Sequence, residues 1–117
     1  MKKIILSLLI SLFFVSIINA EEIGLASFYT IKSSGPITAN GERFNENAFT
    51  CASMDFKFNT LLRVINIENG KSVIVRVNDR GNFKKKYGRI IDLSKGAFKS
   101  ISPLSKGVIK VKIIEIK

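Results

Sequence analysis

The chain reads Ser-Val-Ile-Val-Arg-Val-Asn-Asp-Arg-Gly at residues 72–81. The β-branched residues predict a buried or half-buried strand, which ends abruptly at the polar residues. An amide, a carboxylate and a guanidinium are thereby placed together at the edge of a sheet, where Gly81 lets the backbone turn away. Rigid strand ends are suitable positions for catalytic groups. Because turns also favour Asn, Asp and Gly, residues 77–81 alone fit a plain polar turn with a local Asp–Arg pair at least as well.

Strand and turn signals continue on both sides of this stretch. Ser94 is placed to cap a short helix that runs to about Ile101 and stops at Pro103. Six or so short strands and one short helix predict a mainly β domain, a compact closed or nearly closed β-barrel. The predicted strands are residues 23–29, 61–67, 72–78, 88–93 and 108–116, with a short strand or turn at 47–52, a hairpin turn at 69–70 and a turn cluster at 33–36.

Residues 1–20 have the layout of a cleavable secretory signal. Two lysines precede an almost wholly apolar run, and Ala20 precedes two glutamates. The apolar run is short for a membrane-spanning helix, which needs about 20 residues, so cleavage after Ala20 is expected rather than retention as an anchor. The sequence therefore predicts a signal peptide at residues 1–20 and one small domain at residues 21–117, exported and without a stable membrane anchor after cleavage.

The composition is strongly basic. The chain has 19 lysines and arginines against 9 acidic residues, and residues 21–117 keep a net charge of about +8. A basic surface indicates an anionic partner. For an exported protein nucleic acid is not the expected partner, whereas cell-wall polymers with carboxylates, or anionic lipid surfaces, fit the charge. The charge equally fits a role in solubility alone.

The cysteine and histidine content excludes several classes of site. Cys51 is the only cysteine, so no internal disulfide can form, and its apolar surroundings favour a buried residue over a nucleophile. The chain has no histidine. Ser-His-Asp and Cys-His triads are therefore excluded, as are zinc sites built on histidine or on several thiolates. Because the sequence has no metal-ligand cluster and no phosphate-binding loop, no cofactor and no metal are expected.

Taken together, the motifs resemble the rare lipoprotein A family of small barrel domains, which is related in fold to expansin and barwin-like domains. The resemblance covers nearly all of the chain from Gly24 to the final strand, and the motifs keep the family's order and spacing. It implies a six-stranded double-psi β-barrel. The matching stretches are ASFY at residues 26–29, TANGERF at 38–44, FNT at 58–60, VINIENG at 64–70, VRVNDRG at 75–81 and GRIIDLS at 88–94.

The resemblance also implies a function and a location. Characterised members of that family act on peptidoglycan glycan strands in the bacterial periplasm or cell envelope. They are lytic transglycosylases, which cleave the MurNAc–GlcNAc bond without water and leave a 1,6-anhydro end. Three polar positions matter in the family: a glutamate, here Glu42, an aspartate, here Asp79, and a histidine, whose position is occupied here by Ser53. We expect a monomer with glycan strands as its partner.

Two carboxyl groups are the catalytic candidates. Breaking a glycosidic bond needs an acid for the leaving oxygen, and a transglycosylase then needs a base for the proton of the sugar's C6 hydroxyl. One carboxyl group can do both, because the acid becomes a base after its first transfer. Asp79 is the candidate for that role, with Glu42 stabilising positive charge on the sugar or orienting a hydroxyl. The candidate substrate-binding residues are Asn78, Asn40, Tyr29, Ser53 and Arg80. Asn78, Asn40 and Tyr29 equally fit structural roles, and Arg80 is expected to point away from Asp79.

The serine at the histidine position leaves two functions open. Ser53 can replace a histidine that only donates a hydrogen bond, but not one that carries charge or protons near neutral pH. One function is an endolytic peptidoglycan lytic transglycosylase in cell-wall remodelling, which the retained Glu42 and Asp79 favour. The alternative is a non-catalytic, expansin-like peptidoglycan-binding barrel, which the absent histidine favours. An exported toxin or inhibitor built on the same barrel has no direct support in the sequence.

Overall fold

The computed structural model describes residues 21–81, 83 and 87–117, and the predicted signal segment lies outside these described residues. The strands are β1 (Glu21–Tyr29), β2 (Thr50–Ala52), β3 (Leu61–Asn66), β4 (Ser72–Asp79), β5 (Arg89–Ser94) and β6 (Ile109–Ile116). The helices are α1 (Ile31–Ser34), α2 (Lys95–Ile101) and a 3-10 helix at Leu104–Lys106. None of the helices in the described part of the chain has the length and apolar character needed to span a bilayer.

The six strands close into a barrel in the order β1-β5-β2-β4-β3-β6. The pairs β1–β5 and β2–β4 are parallel, and the other neighbouring pairs are antiparallel. Of these pairs, only β3–β4 joins strands that follow each other along the chain, through the predicted hairpin, where Gly70 takes a left-handed φ of 75°. The prediction of a six-stranded double-psi β-barrel is confirmed.

The inward-facing residues of the strands fill the barrel. In β4 the three valines at positions 73, 75 and 77 are buried, whereas Ile74 between them is 46% exposed. This alternation follows from the two-residue period of a strand. Helix α2 packs against the barrel through buried residues that include Phe98, whose ring lies 4.9 Å from that of Phe28.

The helices only partly match the predicted single helix. Ser94 caps α2 as predicted: its hydroxyl accepts from the Ala97 N–H and donates to the Ala48 carbonyl oxygen. The structure adds the single turn α1 where only a turn cluster was expected. Thr30 and Ser33 form a reciprocal capping box that closes this turn. A four-residue helix has no apolar periodicity, so the sequence pattern could not reveal it.

A β-bulge shapes the end of β4. On β2, Cys51 and Ala52 are adjacent, yet they pair with Val77 and Asp79, so Asn78 is an extra residue on β4. Bulges bend a strand and re-aim its side chains, and they are frequent beside functional sites. The bulge therefore falls within the polar stretch that ends the strand.

Candidate functional site

A cleft of about 380 Å³ opens at the end of β4. Its lining combines two carboxylates, a guanidinium and a phenol with small residues. Strand β4 brings Asp79 to the cleft, β1 brings Tyr29 and β5 brings Asp92. The lining residues are Tyr29, Ser33, Ser34, Ile37, Ala52, Asp79, Arg80, Gly81 and Asp92.

The Asp79 carboxylate is oriented by two backbone N–H groups. Its Oδ1 accepts from the N–H of Ala39 at 2.9 Å and from the N–H of Arg80 at 2.8 Å. The Ala39 donor belongs to the loop between α1 and β2, so a distant segment helps to fix this side chain. A carboxylate held by N–H groups at a strand end has a defined direction towards the cleft, as a proton-transfer group requires.

Tyr29 lies beside Asp79 and keeps its proton. Its ring stacks on Phe44, with 4.6 Å between centroids and an interplanar angle of 13°. The hydroxyl oxygen is buried and has no hydrogen-bond partner among the described residues. Burial, and then the nearby Asp79 carboxylate, which lies outside hydrogen-bond geometry, raise the pKa of the Tyr29 phenol well above its ordinary value. Tyr29 is therefore a neutral O–H donor at the wall of the cleft.

Asp92 is the second carboxylate of the cleft, and neighbouring side chains bind one of its oxygens. Its Oδ1 accepts from the Ser27 hydroxyl at 2.6 Å and forms an ion pair with Arg89. These contacts tie β5 to β1 at the parallel pair. Because Ser27 and Arg89 both bind the Asp92 carboxylate, we assign Asp92 to holding the cleft wall.

Glu42 is surrounded by hydrogen-bond donors outside the cleft lining. Arg76 binds both carboxylate oxygens, at 2.7 Å to Oε1 and 2.8 Å to Oε2. Asn40 donates to Oε1 at 2.8 Å and Asn78 to Oε2 at 3.3 Å. The Arg76 hydrogen bonds, followed by those of Asn40 and Asn78, lower the pKa of Glu42 to about 2. Glu42 is therefore an anion at physiological pH and cannot act there as a proton donor.

Arg76 is the member of the Glu42 cluster that sequence reasoning missed. Its guanidinium forks onto Glu42 and also donates to the Asn59 side-chain oxygen at 3.0 Å. Asn59 has a left-handed φ of 73°, a conformation that asparagine tolerates better than most residues. A partial signal was present, because Arg76 follows Ser72 and Ile74 at two-residue spacing and so lies on the outer face of β4.

The two predicted asparagines serve the Glu42 cluster. The Asn40 Oδ1 accepts from the Thr38 hydroxyl at 2.6 Å and from the Glu42 N–H at 3.1 Å, which closes its own loop. In that loop Gly41 has a φ of 91°, which favours glycine. The Asn78 side chain is buried, and its Oδ1 has no partner within the described ranges. Direct contact of either asparagine with a sugar remains a prediction.

Ser53 and Arg80 are joined to each other beside the cleft. The Ser53 hydroxyl is buried and accepts from the N–H groups of Asp55 and Phe56 at 3.1 and 3.3 Å. The Arg80 guanidinium donates to the carbonyl oxygens of Ser53 and Phe56, both at 3.0 Å, and lies 4.0 Å from the ring centre of Phe58. Ser53 is not among the cleft-lining residues, whereas Arg80 is.

The seven predicted site residues thus fall into three positions. Asp79, Tyr29 and Arg80 line the cleft; Glu42, Asn40 and Asn78 form the neighbouring cluster around Arg76; Ser53 lies in the loop behind Arg80. The loop at residues 38–42 connects cleft and cluster, because Glu42 is bound to Arg76 and the Ala39 N–H is bound to Asp79. No group of three or more acidic or cysteine residues in the described part of the chain is arranged to hold a metal ion.

Comparison with known proteins identifies relatives of this barrel. A family profile described as lytic transglycolase matches residues 21–113. A Synechocystis protein named "Probable endolytic peptidoglycan transglycosylase RlpA" is 52% identical over 85 residues, which cover 73% of this chain and 26% of the relative. The endolytic peptidoglycan transglycosylase RlpA of Campylobacter jejuni is 46% identical over 90 residues, which cover 77% and 32%. The chain therefore spans about a third or less of the length of these curated relatives.

Solved structures share the fold at low sequence identity. A mutant Clavibacter michiganensis expansin in complex with cellohexaose has a TM-score of 0.67 and 18% identity, covering 84% of this chain and 51% of the expansin chain. The Streptomyces papain inhibitor has a TM-score of 0.68 and 20% identity, covering 86% and 98%. These likenesses confirm the barrel, and the match of the family profile over most of the chain shows that it belongs to the lytic transglycolase family.

Proposed function

We propose that this chain is an endolytic peptidoglycan lytic transglycosylase, exported to the periplasm or cell envelope by the segment at residues 1–20. The observation that carries the proposal is the Asp79 carboxylate, oriented into a cleft by the N–H groups of Ala39 and Arg80. Family membership supports the same activity, and so do the names of the curated relatives. The basic charge of the domain suits a carboxylate-bearing wall polymer.

In this mechanism a single carboxyl group moves the proton twice. Protonated Asp79 donates its proton to the glycosidic oxygen as the bond from that oxygen to C1 of MurNAc breaks. The resulting Asp79 carboxylate then accepts the proton of the MurNAc C6 hydroxyl, whose oxygen forms the new bond to C1. The products are a GlcNAc end with a free hydroxyl and a 1,6-anhydro-MurNAc end, so no water is consumed.

The neighbouring groups act on this step without moving protons. Tyr29 keeps its hydroxyl hydrogen and is available to donate it to a sugar oxygen or to the Asp79 carboxylate. Glu42 is a fixed anion whose charge is opposed by Arg76, so we assign it to holding the 38–42 loop and not to acid catalysis. Arg80 is anchored to the 53–58 loop, which leaves its remaining donors for the substrate.

The alternative is an expansin-like barrel that binds peptidoglycan without cleaving it. The observation that favours it is Ser53, whose hydroxyl is buried and accepts two backbone hydrogen bonds. A side chain engaged in this way does not supply the charge or the protons that a histidine could. The barrel's likeness to an expansin structure is compatible with this reading.

The deciding experiment is a digest of purified glycan strands, with and without stem peptides, by residues 21–117. Mass spectrometry reads the products for 1,6-anhydro ends, and Asp79→Asn is the matched control. We expect anhydro products from the wild type and a loss of at least about a hundredfold in Asp79→Asn, the usual scale of a general acid. Strand binding without products in the wild type would support the alternative.

A further inference from the structure

A second depression of about 420 Å³ lies on the outer face of β3 and β4. We call this depression the Arg63 groove. Arg63 on β3 pairs with Ile74 on β4 and with Ile114 on β6, so its side chain lies between two isoleucines. Its lining residues are Phe49, Arg63, Ser72, Val73, Ile74 and Ser100.

The groove combines exposed apolar surface with a basic side chain. Phe49 is 51% exposed and Ile74 is 46% exposed, which is high for large apolar side chains. The Arg63 guanidinium has no ion pair or hydrogen-bond partner among the residues that the structure describes. None of the lining residues is acidic. A ligand that complements this surface has an apolar face and a negative charge.

The groove and the cleft are both lined by residues of β4, Ile74 in the groove and Asp79 in the cleft. Arg76 follows Ile74 by two residues on the same outer face, and its N–H donates to the Phe49 carbonyl oxygen at 3.2 Å. Arg76 in turn holds Glu42, and β4 ends at Asp79 in the cleft. Asp79 is five residues beyond Ile74, which corresponds to at most roughly 17 Å along a strand, since the bulge at Asn78 shortens the interval. The span between the two sites is therefore within the reach of a polymer of several sugar units that follows β4 from the cleft.

We propose that the Arg63 groove is a remote subsite for the glycan strand whose cleavage is proposed above. The Arg63 guanidinium binds a carboxylate of the strand, and Phe49 stacks on a sugar ring through its apolar C–H face. The carboxylate belongs either to the lactyl group of MurNAc or to a stem peptide. This proposal rests on the proposed substrate but not on turnover, because binding is measurable in an inactive variant.

The test measures dissociation constants of strands in an Asp79→Asn background. Three long strands are compared: with stem peptides, stripped to free lactyl carboxylates, and stripped with those carboxylates reduced to alcohols. We expect Arg63→Gln to weaken binding of a carboxylate strand by about three- to tenfold, the range of a partly exposed charged contact. The strand whose affinity falls in Arg63→Gln identifies which carboxylate is bound. The strand with reduced carboxylates should bind the Arg63→Gln variant and its Asp79→Asn parent equally.

Two controls separate the groove from general charge and from the cleft. Lys106→Gln removes one charge from the 3-10 helix, where Lys106 contacts Glu68 and not the groove, and should leave binding unchanged. A tetrasaccharide centred on the cleft is too short to reach Arg63, so Arg63→Gln should not alter its binding. Phe49→Ala should weaken long strands as Arg63→Gln does. The proposal is overturned if the parent binds no long strand, if Arg63→Gln costs nothing, or if its loss is equal for the reduced strand or the tetrasaccharide.

If the wild type binds strands through Arg63 but releases no anhydro products, the groove stands and the transglycosylase proposal fails. If the wild type cleaves strands and Arg63→Gln leaves both the dissociation constant and KM unchanged, the transglycosylase proposal stands and the proposed Arg63 subsite fails.

Discussion

The two oxygens of Glu42 receive four side-chain hydrogen bonds, two of them from one guanidinium. Such a fork is among the strongest of protein hydrogen-bond arrangements. Because Glu42 is 38% exposed and Arg76 35% exposed, solvent screens part of the attraction. The pair therefore matters more for geometry than for stability: it holds the 38–42 loop, whose Ala39 N–H orients Asp79.

The lowered pKa of Glu42 makes its contribution to stability depend on pH. A depressed carboxyl pKa stabilises the fold above the unfolded value of 4.5, and this contribution is lost as the pH falls through about 2. We expect Glu42→Gln to lower Tm by a constant amount at neutral pH and by progressively less as the pH falls towards about 2. Thermal unfolding across pH measures this, with Glu68→Gln, 72% exposed, as the control. A Tm difference that is the same at acidic and neutral pH would contradict the assignment.

Arg76 is expected to act on turnover through position. Arg76→Lys keeps the charge but loses the fork, and Arg76→Gln loses both. We expect kcat on glycan strands to fall by about tenfold in the first and about a hundredfold in the second, since small misplacements of a catalytic group are costly. KM should change little. Steady-state kinetics with Lys110→Gln as the control tests this, and a rise in KM at constant kcat would instead make Arg76 a substrate-binding residue.

At the scale of elements, the end of β4 is defined by its contacts with other segments. The bulge at Asn78 changes the register between β2 and β4, and the N–H of Ser53 donates to the Asp79 carbonyl oxygen at 3.1 Å. Helix α2 is attached equally closely, because the Gly96 N–H donates to the Glu46 carbonyl oxygen at 2.8 Å. The loops around the cleft are therefore anchored by strand ends and by one helix.

Gly96 tests how closely α2 approaches the loop. In an exposed helix, glycine to alanine stabilises by up to about 1 kcal/mol. Here a Cβ would lie 2.6 Å from the Asn47 carbonyl oxygen, closer than van der Waals contact allows. We expect Gly96→Ala to lower the free energy of unfolding by about 1–3 kcal/mol, as overpacking does. Denaturant unfolding measures this free energy. Lys99→Ala, at an exposed position of the same helix, is the control and should change the free energy of unfolding little. A Gly96→Ala protein that is more stable than the wild type would refute the close contact.

At the scale of the whole molecule, closure of the barrel and the excess of positive charge dominate. Strands β1 and β6 pair along six residues each, which joins the two ends of the described domain. The closed barrel encloses an apolar interior, and none of the lysines and arginines that the structure describes is buried. Because the net charge of residues 21–117 is about +8, long-range attraction should contribute to binding any anionic polymer.

That attraction predicts a salt dependence. Raising the ionic strength from about 0.1 M to about 1 M shortens the Debye length from about 10 Å to about 3 Å. We expect the affinity of residues 21–117 for carboxylate-bearing glycan strands to fall severalfold over this range. Binding of an uncharged chitin oligosaccharide, measured in the same salt series, should stay nearly constant. Equal sensitivity of the two ligands would argue against an electrostatic contribution.

Local sequence was sufficient for the five longer strands, the hairpin and helix α2, whereas residues 47–52, which contain β2, were expected only as a short strand or a turn. The alternating valines of β4 predict its buried face, Asn69-Gly70 predicts the hairpin, and Ser94 with Pro103 brackets α2. These signals extend over a few residues, because backbone geometry and burial impose a periodic pattern of apolar residues on the local sequence. The position of Asp79 at a strand end could be predicted for the same reason. Its identification as catalytic came from the resemblance to a family, and it stays a prediction.

The contacts between distant polar groups depend on the tertiary structure. Glu42 and Arg76 are 34 residues apart in sequence, and the Ala39 N–H is 40 residues from the Asp79 carboxylate that it binds. These contacts depend on the parallel pairing of β2 with β4 and on closure of the barrel. No local sequence pattern encodes either feature. Local sequence was therefore enough to predict a β-barrel with a polar strand end. The closed fold places Glu42 as an anion bound by Arg76 and Ser53 as an acceptor for the N–H groups of its loop. It also brings Asp79 and Asp92 to one cleft, where the Asp79 carboxylate is bound by backbone N–H groups and the Asp92 carboxylate by side chains.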